Sequence, residues 1–350
     1  MFDVAALAGV SQMTVSRVVN GTGRVREPTR RKVDRAIETL RYAPNGEARK
    51  LAGSKPIRVG FLYSGRFASD LGQFLIGLSS QANLDNVQVL VERCACAEDE
   101  GARLRRLLAS RLDGIILTPL ADNDGAFALI GAAGIAAVAV DCGRHGGRFG
   151  TVDIDDHAAA RLMTRHLFAL GHRRIGFVSG SPDEAISARR LAGYQVALEE
   201  TGASRDDRLV VSGKSSYRCG LDAAEHLLGL DERPTAVFAA NDDIAAAIVA
   251  AAHRFGLDVP GDLTVTGFGD TAVATSIWPE LTTIRQPIDR MARAAVRSVA
   301  RRVRALRQGR RHEPEHLCLE FELVRRQSDA APRIRPQACL TTTPGGGARR

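Results

Sequence analysis

The sequence predicts an α/β protein carrying an all-α module at its N-terminus. Three observations predict it: apolar residues at helical spacing over the first 42 residues, apolar strand runs alternating with amphipathic helices from Ile57, and a restart of that rhythm after Gly150. A chain of 350 residues suits two or three domains. With 45% hydrophobic and 25% charged residues it lies in the ordinary globular range, outside the disordered, collagen-like and disulfide-scaffold classes.

Residues 3 to 42 read as three short helices. Asp3 can cap the first, whose apolar face is Val4, Leu7 and Ala8, and Gly9 supplies the positive φ of a tight turn. Ser11 is the cap of a second helix in which Val15, Val18 and Val19 face inward, leaving Gln12, Met13, Ser16 and Arg17 outside, until Asn20-Gly21 ends it. The third helix starts near Pro28 and buries Val33, Ile37 and Leu40 before Tyr42 and Pro44 stop it. A helix, a glycine turn and a helix with outward polar groups at its N-terminal end form the helix-turn-helix pattern, whose second helix enters the DNA major groove.

Residues 44 to 56, PNGEARKLAGSKP, form a proline-bounded linker in which Asn45 could cap a marginal helix carrying Ala48 and Leu51. Beyond it come IRVGFLYS, VQVLVER, GIILTPL and AAVAVD, separated by helices near 71–83, 98–110 and 124–132. After Gly150 the strands RIGFVSG, RLVVSG, AVFAAN and LTVTGFG alternate with helices near 156–170, 187–201, 217–228 and 242–255. Such repeated β-α units specify parallel sheets with helices on both faces, so two similar Rossmann-like halves follow one another. Residues 328 to 350 lack periodicity and read as a disordered tail.

Charge is unevenly placed. Residues 1–56 hold 11 basic and 5 acidic side chains, residues 57–300 hold 25 and 30, and residues 301–350 hold 12 and 5. A basic terminal module on a mildly acidic body suits a polyanion, because phosphate neutralisation supplies most non-specific nucleic-acid affinity. The longest apolar run, Ile244 to Ala252, is less than half of the roughly 20 residues a bilayer span needs, and the N-terminus lacks a signal-peptide layout. The chain reads as cytoplasmic, without a membrane partner. Its six cysteines form no C-x-x-C pair and read as reduced thiols.

Two motif matches carry little. His312-Glu313-Pro314-Glu315-His316 fits the zinc string H-E-x-x-H, but Pro314 opposes the helix that would bring both histidines to one metal. Gly267 to Ala272 fits G-x-G-x-x-A after a strand, yet Pro279 leaves no room for the helix a dinucleotide needs. With no G-x-S-x-G, Walker A or nucleophile-base pair, an enzyme is disfavoured, and no metal or cofactor is expected. Polar residues collect instead at the strand ends where α/β sheets bind ligands: Asp141, Arg190, Asn241, Asp242 and Asp270. Any one of them alone also fits a helix cap or surface charge.

DVAALAGVSQMTVSRVVNG, AAND, and WPELTTIRQP after GFGD resemble the LacI/GalR family of bacterial ligand-responsive transcription factors, from about Phe2 to Ser328. The resemblance implies a headpiece (1–43), a hinge (44–56) and an effector-binding, dimerising core (57–327) like periplasmic sugar-binding proteins. It implies a first lobe of about 57–150 and 284–312 and a second of about 151–283 and 313–327, with LTTIRQP carrying the chain back to the first and LCLEFEL returning it to the second. Gln12, Met13 and Arg17 would read base edges, Ser11, Thr14, Ser16, Asn20 and Asn45 would hold phosphates, and Leu51 beside Ala48 would wedge into the minor groove.

For the effector the resemblance points to Asp70, Leu71, Arg190, Ser215, Asn241 and the turn at Gly269. Family members often carry an acid where this chain has Gly269, with only Asp270 following. Asp70, Arg190 and Asn241 are therefore expected to take over the polar contacts beside Asp141, with Trp278 offering a ring face near the mouth. The implied function is a dimeric repressor of double-stranded operator DNA controlled by a sugar or sugar derivative. The alternatives are a purine or other metabolite as effector, or a sugar binder without DNA activity.

Overall fold

The computed structural model describes residues 2–20, 25–40, 55–64, 67, 70–94, 97–120, 123–142, 148–181, 185–310 and 312–333. They divide into two compact units, before and after the Pro56–Ile57 junction.

The first unit is three helices, α1 (Phe2–Ala8), α2 (Gln12–Asn20) and α3 (Glu27–Thr39). Gly9 turns the chain with φ +66°, and Ser11 Oγ accepts the Thr14 amide at 3.3 Å, capping α2 as its sequence position predicts. Val4, Ala5, Ala8, Val15, Val33 and Ala36 make the core, with Val10, Val18 and Ile37 against it. Three sequence expectations change. Leu7 is 54% and Leu40 42% exposed, because the buried stripes run through Ala5 and Ala36 and leave the two leucines at the margins. Asp3 falls inside the first turn of α1, where it complements the helix dipole and is not a preceding cap. The hinge residues Asn45, Ala48 and Leu51, and the side chains of Val19 and Asn20, lie outside the described residues.

The second unit holds two six-stranded sheets. In chain order the first half runs β1 (Ile57–Ser64), α4 (Leu71–Asp85), β2 (Val87–Cys94), α5 (Ala97–Ala109), β3 (Gly114–Leu117), α6 (Asn123–Ala133), β4 (Ala136–Val140) and β5 (Gly150–Ile154). Then follow α7 (Asp156–Ala169), β6 (Ile175–Ser179), α8 (Ala185–Thr201), β7 (Val210–Ser212), α9 (Tyr217–Leu228), β8 (Ala236–Ala239) and α10 (Asp242–Arg254). The chain closes with β9 (Thr264–Gly269), α11 (Ala272–Ser276), β10 (Thr282–Arg285), α12 (Ile288–Arg307), β11 (His316–Leu319) and β12 (Glu322–Val324). One sheet has the order β11-β5-β4-β3-β1-β2 and the other β12-β10-β9-β8-β6-β7. Every pairing is parallel except β10 with β12. β3, β4, β6, β8 and β9 are buried along their whole length, which is why they read as unbroken apolar runs.

The lobe boundaries move. Gly150–Ile154 is a strand of the first sheet, not the start of the second lobe. Thr282–Arg285 stays in the second sheet beside β9, and the chain crosses only at Gln286–Pro287 before α12 packs against α4, β3, β4 and β5. LCLEFEL is two strands: its first part pairs with β5 in the first sheet and its last part with β10 in the second. Its alternating pattern satisfies either sheet, so periodicity could not show the crossing at Glu320–Phe321. Three chain passages thus join the lobes.

Residues 328–333 are also part of the fold. Ser328 is fully buried, its Oγ donating to the Val265 carbonyl and accepting the Thr282 amide. Asp329 accepts from Thr282 Oγ1 and His166 Nε2, and Ala330 bonds Thr264 and His172. Single polar anchors hold this stretch, and they leave no periodic signature.

Helices α7 and α8 pack in close contact because position 193 is glycine: a Cβ there would stand 2.2 Å from the His157 carbonyl oxygen. Gly193→Ala must push two backbones apart and should lower unfolding free energy by about 1 to 3 kcal/mol, the usual cost of overpacking. Urea unfolding checks this; an unchanged midpoint would contradict it.

Candidate DNA-reading face and ligand cleft

In α2 the fully buried Val15 anchors the helix while Gln12, Met13 and Arg17 stand exposed, Met13 at 65%. Ser11 is exposed, and Thr14 and Ser16 are half-buried. The face combines an amide, a thioether and a guanidinium around a capped helix N-terminus. These groups can respectively pair adenine, touch a thymine methyl and make a two-point bond to guanine, while small hydroxyls can meet phosphate.

The core unit has a cavity of about 120 Å³ between the two sheets' strand ends. Of the sequence candidates, Asp70, Asp141, Arg190, Ser215, Asn241, Asp242 and the turn residue Gly269 line it. Phe67, Asn123, Ser187, Asp243, Phe268 and Gln286 line it with them.

Arg190, buried on α8, is held on three sides. Its Nε donates to Asp156 Oδ1 at 2.9 Å, its Nη1 donates to the Ala240 carbonyl at 2.7 Å, and its guanidinium carbon stands 3.5 Å from the centroid of the Phe268 ring. Asp156 is itself fully buried and also accepts from Arg189 Nη2 at 3.0 Å. Asn241 caps α10, its Oδ1 accepting the Ile244 amide at 2.7 Å. Asp242 is spent on the scaffold: it accepts from the Thr271 amide and hydroxyl and from Thr283 Oγ1. Burial still pushes its carboxyl up, against those bonds. Its Oδ1 lies where a Cβ on Gly267 would fall, at 2.3 Å, which accounts for that glycine without a nucleotide.

Asp70 and Asp141 behave differently. Burial, reinforced by the Asp242 carboxylate and opposed by Arg190, pushes Asp70 up to about 6. Burial and the Asp156 carboxylate, against Arg190, push Asp141 up to about 7. Asp141 sits at φ +58°, and its Oδ1 is buried without a hydrogen-bond partner among the described residues.

Three sequence candidates stand elsewhere. Leu71 is half-buried against the main apolar core and does not line the cavity. Asp270 turns away at φ +56° and binds Arg285 Nε at 2.6 Å and Arg326 Nη2 at 2.5 Å, outside the cavity. Trp278 is 74% exposed and does not line the cavity. Asp156, Phe67, Phe268, Asn123 and Gln286 were not singled out from sequence. Asp156 and Asn123 stand at strand-helix junctions and could have been sought there, whereas the phenylalanines and Gln286 carried no local signal. The H-E-x-x-H string is not helical, and its second histidine opens β11.

A family model described as bacterial regulatory proteins, lacI family, matches residues 1–45, and one described as a periplasmic binding protein-like domain matches residues 164–328. Catabolite control protein A of Priestia megaterium is 34% identical over 302 residues, covering 85% of this chain and 90% of the relative. The chain belongs to the LacI family. Among solved LacI-family structures, the transcriptional regulator CelR in complex with cellobiose superposes with a TM-score of 0.72 at 31% identity, covering 93% of this chain and 98% of its own. The lac repressor dimer bound to operator and an anti-inducer gives 0.71 at 30%, covering 94% and 98%.

In this LacI-family chain the Asp141 carboxyl holds its proton more tightly when folded than at its ordinary unfolded value of about 4. Its contribution to stability is therefore fully present below about pH 4 and is lost as pH rises through about 7. Asp141→Asn keeps the shape and removes the charge. Its stability relative to the native chain should rise by more than about 1 kcal/mol between pH 4 and pH 8. Urea unfolding at both pH values checks this; a pH-independent difference would contradict it.

Proposed function

We propose that this LacI-family chain is a sequence-specific transcriptional repressor that binds double-stranded operator DNA as a dimer and is controlled by a small molecule held in the core cleft. The observation that carries the proposal is the presence, in one chain, of a three-helix unit exposing Gln12, Met13 and Arg17 from its second helix and a cleft with a pre-set guanidinium between two lobes. The solved relatives support it, one bound to operator and another to cellobiose. No helix among the described residues is long and apolar enough to cross a membrane, and the cytoplasm, where operators lie, is the proposed place of action.

In this reading Gln12, Met13 and Arg17 read bases, Ser11, Thr14, Ser16, Asn20 and Asn45 meet phosphates, and Leu51 with Ala48 serves a hinge that wedges the minor groove. The effector is a sugar or sugar derivative. The cleft supports this with two phenylalanines in its lining and a few polar groups that both donate and accept. Its groups come from both lobes: Asp70 and Asp141 follow the first sheet's elements, Arg190 and Asn241 belong to the second's. A ligand touching both favours one lobe arrangement over another and acts on DNA binding only through that difference in affinity. The consequence is a changed separation of the paired headpieces, which must match the half-site spacing.

Selecting bound sequences from random duplexes and then screening sugars for loss of binding tests the whole reading; no sequence preference at moderate salt would reject it. Arg17→Ala should cost about 1 to 3 kcal/mol and relax preference at one base pair per half-site. An equal loss on all sequences would mark Arg17 as a phosphate contact. Trp278→Ala should leave effector affinity unchanged in calorimetry, since the ring stands outside the cleft.

A further inference from the structure

The basic excess towards the C-terminal end of the chain is used by neither the headpiece nor the cleft. From Arg290 to Arg311 the sequence holds nine arginines and no acid, so this stretch cannot neutralise itself. Helix α12 buries Met291, Ala295, Val299 and Val303 on one face, and Arg297, Arg301 and Arg304, at spacings of four and three, stand exposed on the other. With Arg310 and His312 they line a groove of about 440 Å³ whose one acid among the described residues is Asp85.

Three carboxylates fasten part of this face. Arg304 Nη2 donates to Asp85 Oδ1 at 3.0 Å, Arg307 Nη2 donates to Asp113 Oδ2 at 2.8 Å, and Arg301 pairs with Glu315. Arg297 and Arg310 have no ion pair among the described residues. Two of these acids also mark the end at which the chain enters the core. The Ile57 amide donates to the Asn86 carbonyl at 3.1 Å, next to Asp85. The Arg58 amide donates at 2.8 Å to Asp113 Oδ2, the oxygen that Arg307 also holds. In the operator reading Leu51 lies in the minor groove, and the six residues from there to Ile57 reach about 20 Å at full extension. Chain length alone therefore keeps this end of the core close to the duplex.

Resting on the operator reading above, we propose that the groove at the end of α12 is a second DNA contact, which grips backbone phosphates of the bound duplex without reading its sequence. A duplex suits it better than a small anion. The side chains of Arg301 and Arg304 are 59% and 46% exposed, so salt screens their pull on a single ion, whereas a row of phosphates gains from every counterion it releases. Arg297 and Arg310 supply the charge that no carboxylate matches, and Arg301 and Arg304 keep N–H donors beyond those their carboxylates use. The contact adds affinity common to all sequences, and discrimination stays with α2.

Fluorescence anisotropy of the full chain between about 50 and 200 mM salt, on the preferred duplex from the selection above and on a scrambled duplex of equal length, tests this. Arg297→Gln with Arg310→Gln, shown by its melting to be folded, should weaken binding about tenfold or more on both duplexes alike. It should also flatten the slope of log affinity against log salt by about 2 to 4, for up to about four phosphate contacts per dimer. Arg297→Lys with Arg310→Lys should keep the slope, because a phosphate needs the charge and not the planar fork. Arg233→Gln with Arg254→Gln removes equal charge from the second lobe and should leave the slope within about 0.5 of the native value. A slope unmoved by the Arg297 and Arg310 glutamines overturns the proposal and leaves the regulator reading standing; it is the outcome expected of a groove that takes an acidic protein instead. An equal fall in the second-lobe pair overturns it as well, by making net charge the cause. A native chain without sequence preference rejects the operator reading, while the slopes on the scrambled duplex still decide this contact.

Discussion

The contact between Asp156 and Arg190 organises the functional half of the core. Asp156 opens α7 two residues after β5 leaves the first sheet, and its fully buried carboxylate holds two successive arginines of α8. Through Arg190 it reaches the carbonyl end of β8 and the ring at the end of β9. One acid therefore fixes four elements of the second lobe at the floor of the cleft. Removing one partner of such a buried pair leaves an uncompensated charge, at a cost of about 3 to 5 kcal/mol. The pair also orders a long side chain before any ligand arrives, so binding does not pay that entropy.

Partners, not residue type, sort the remaining carboxyls. Asp242, Asp270 and Asp329 each accept several hydrogen bonds from the protein and act as internal fasteners. Asp70 and Asp141 line the same cavity as Asp242, but burial raises both against the opposing charge of Arg190, and the Asp141 Oδ1 has no hydrogen-bond partner among the described residues. Groups held at such a cost of desolvation are the ones whose state a ligand can change most.

Much of this was legible in the sequence. Helical spacing around Val4, Val15 and Val33 placed the three N-terminal helices, and unbroken runs such as AAVAV and AVFAA marked strands covered on both faces. Asp141, Arg190 and Asn241 were found because parallel sheets put their ligands at strand ends. Asp270 followed the same rule and failed it, since its partners Arg285 and Arg326 lie 15 and 56 residues away and only the folded chain brings them together. Trp278 failed because an aromatic's exposure depends on the turn that carries it. The 328–333 segment was missed for a related reason: isolated anchors such as Ser328 and Asp329 carry no period to detect.

The three passages between the sheets have a consequence for dissection of the molecule. Each lobe is assembled from separate stretches, with β11 closing the edge of one sheet and β12, three residues later, closing the edge of the other. No single scission of the gene can liberate either half with its own hydrophobic interior complete. A fragment ending after β10 would keep the second lobe's central strands but strip the first of α12 and expose the apolar surface that helix covers. The two halves are therefore obliged to mature, and to be inherited, as one piece.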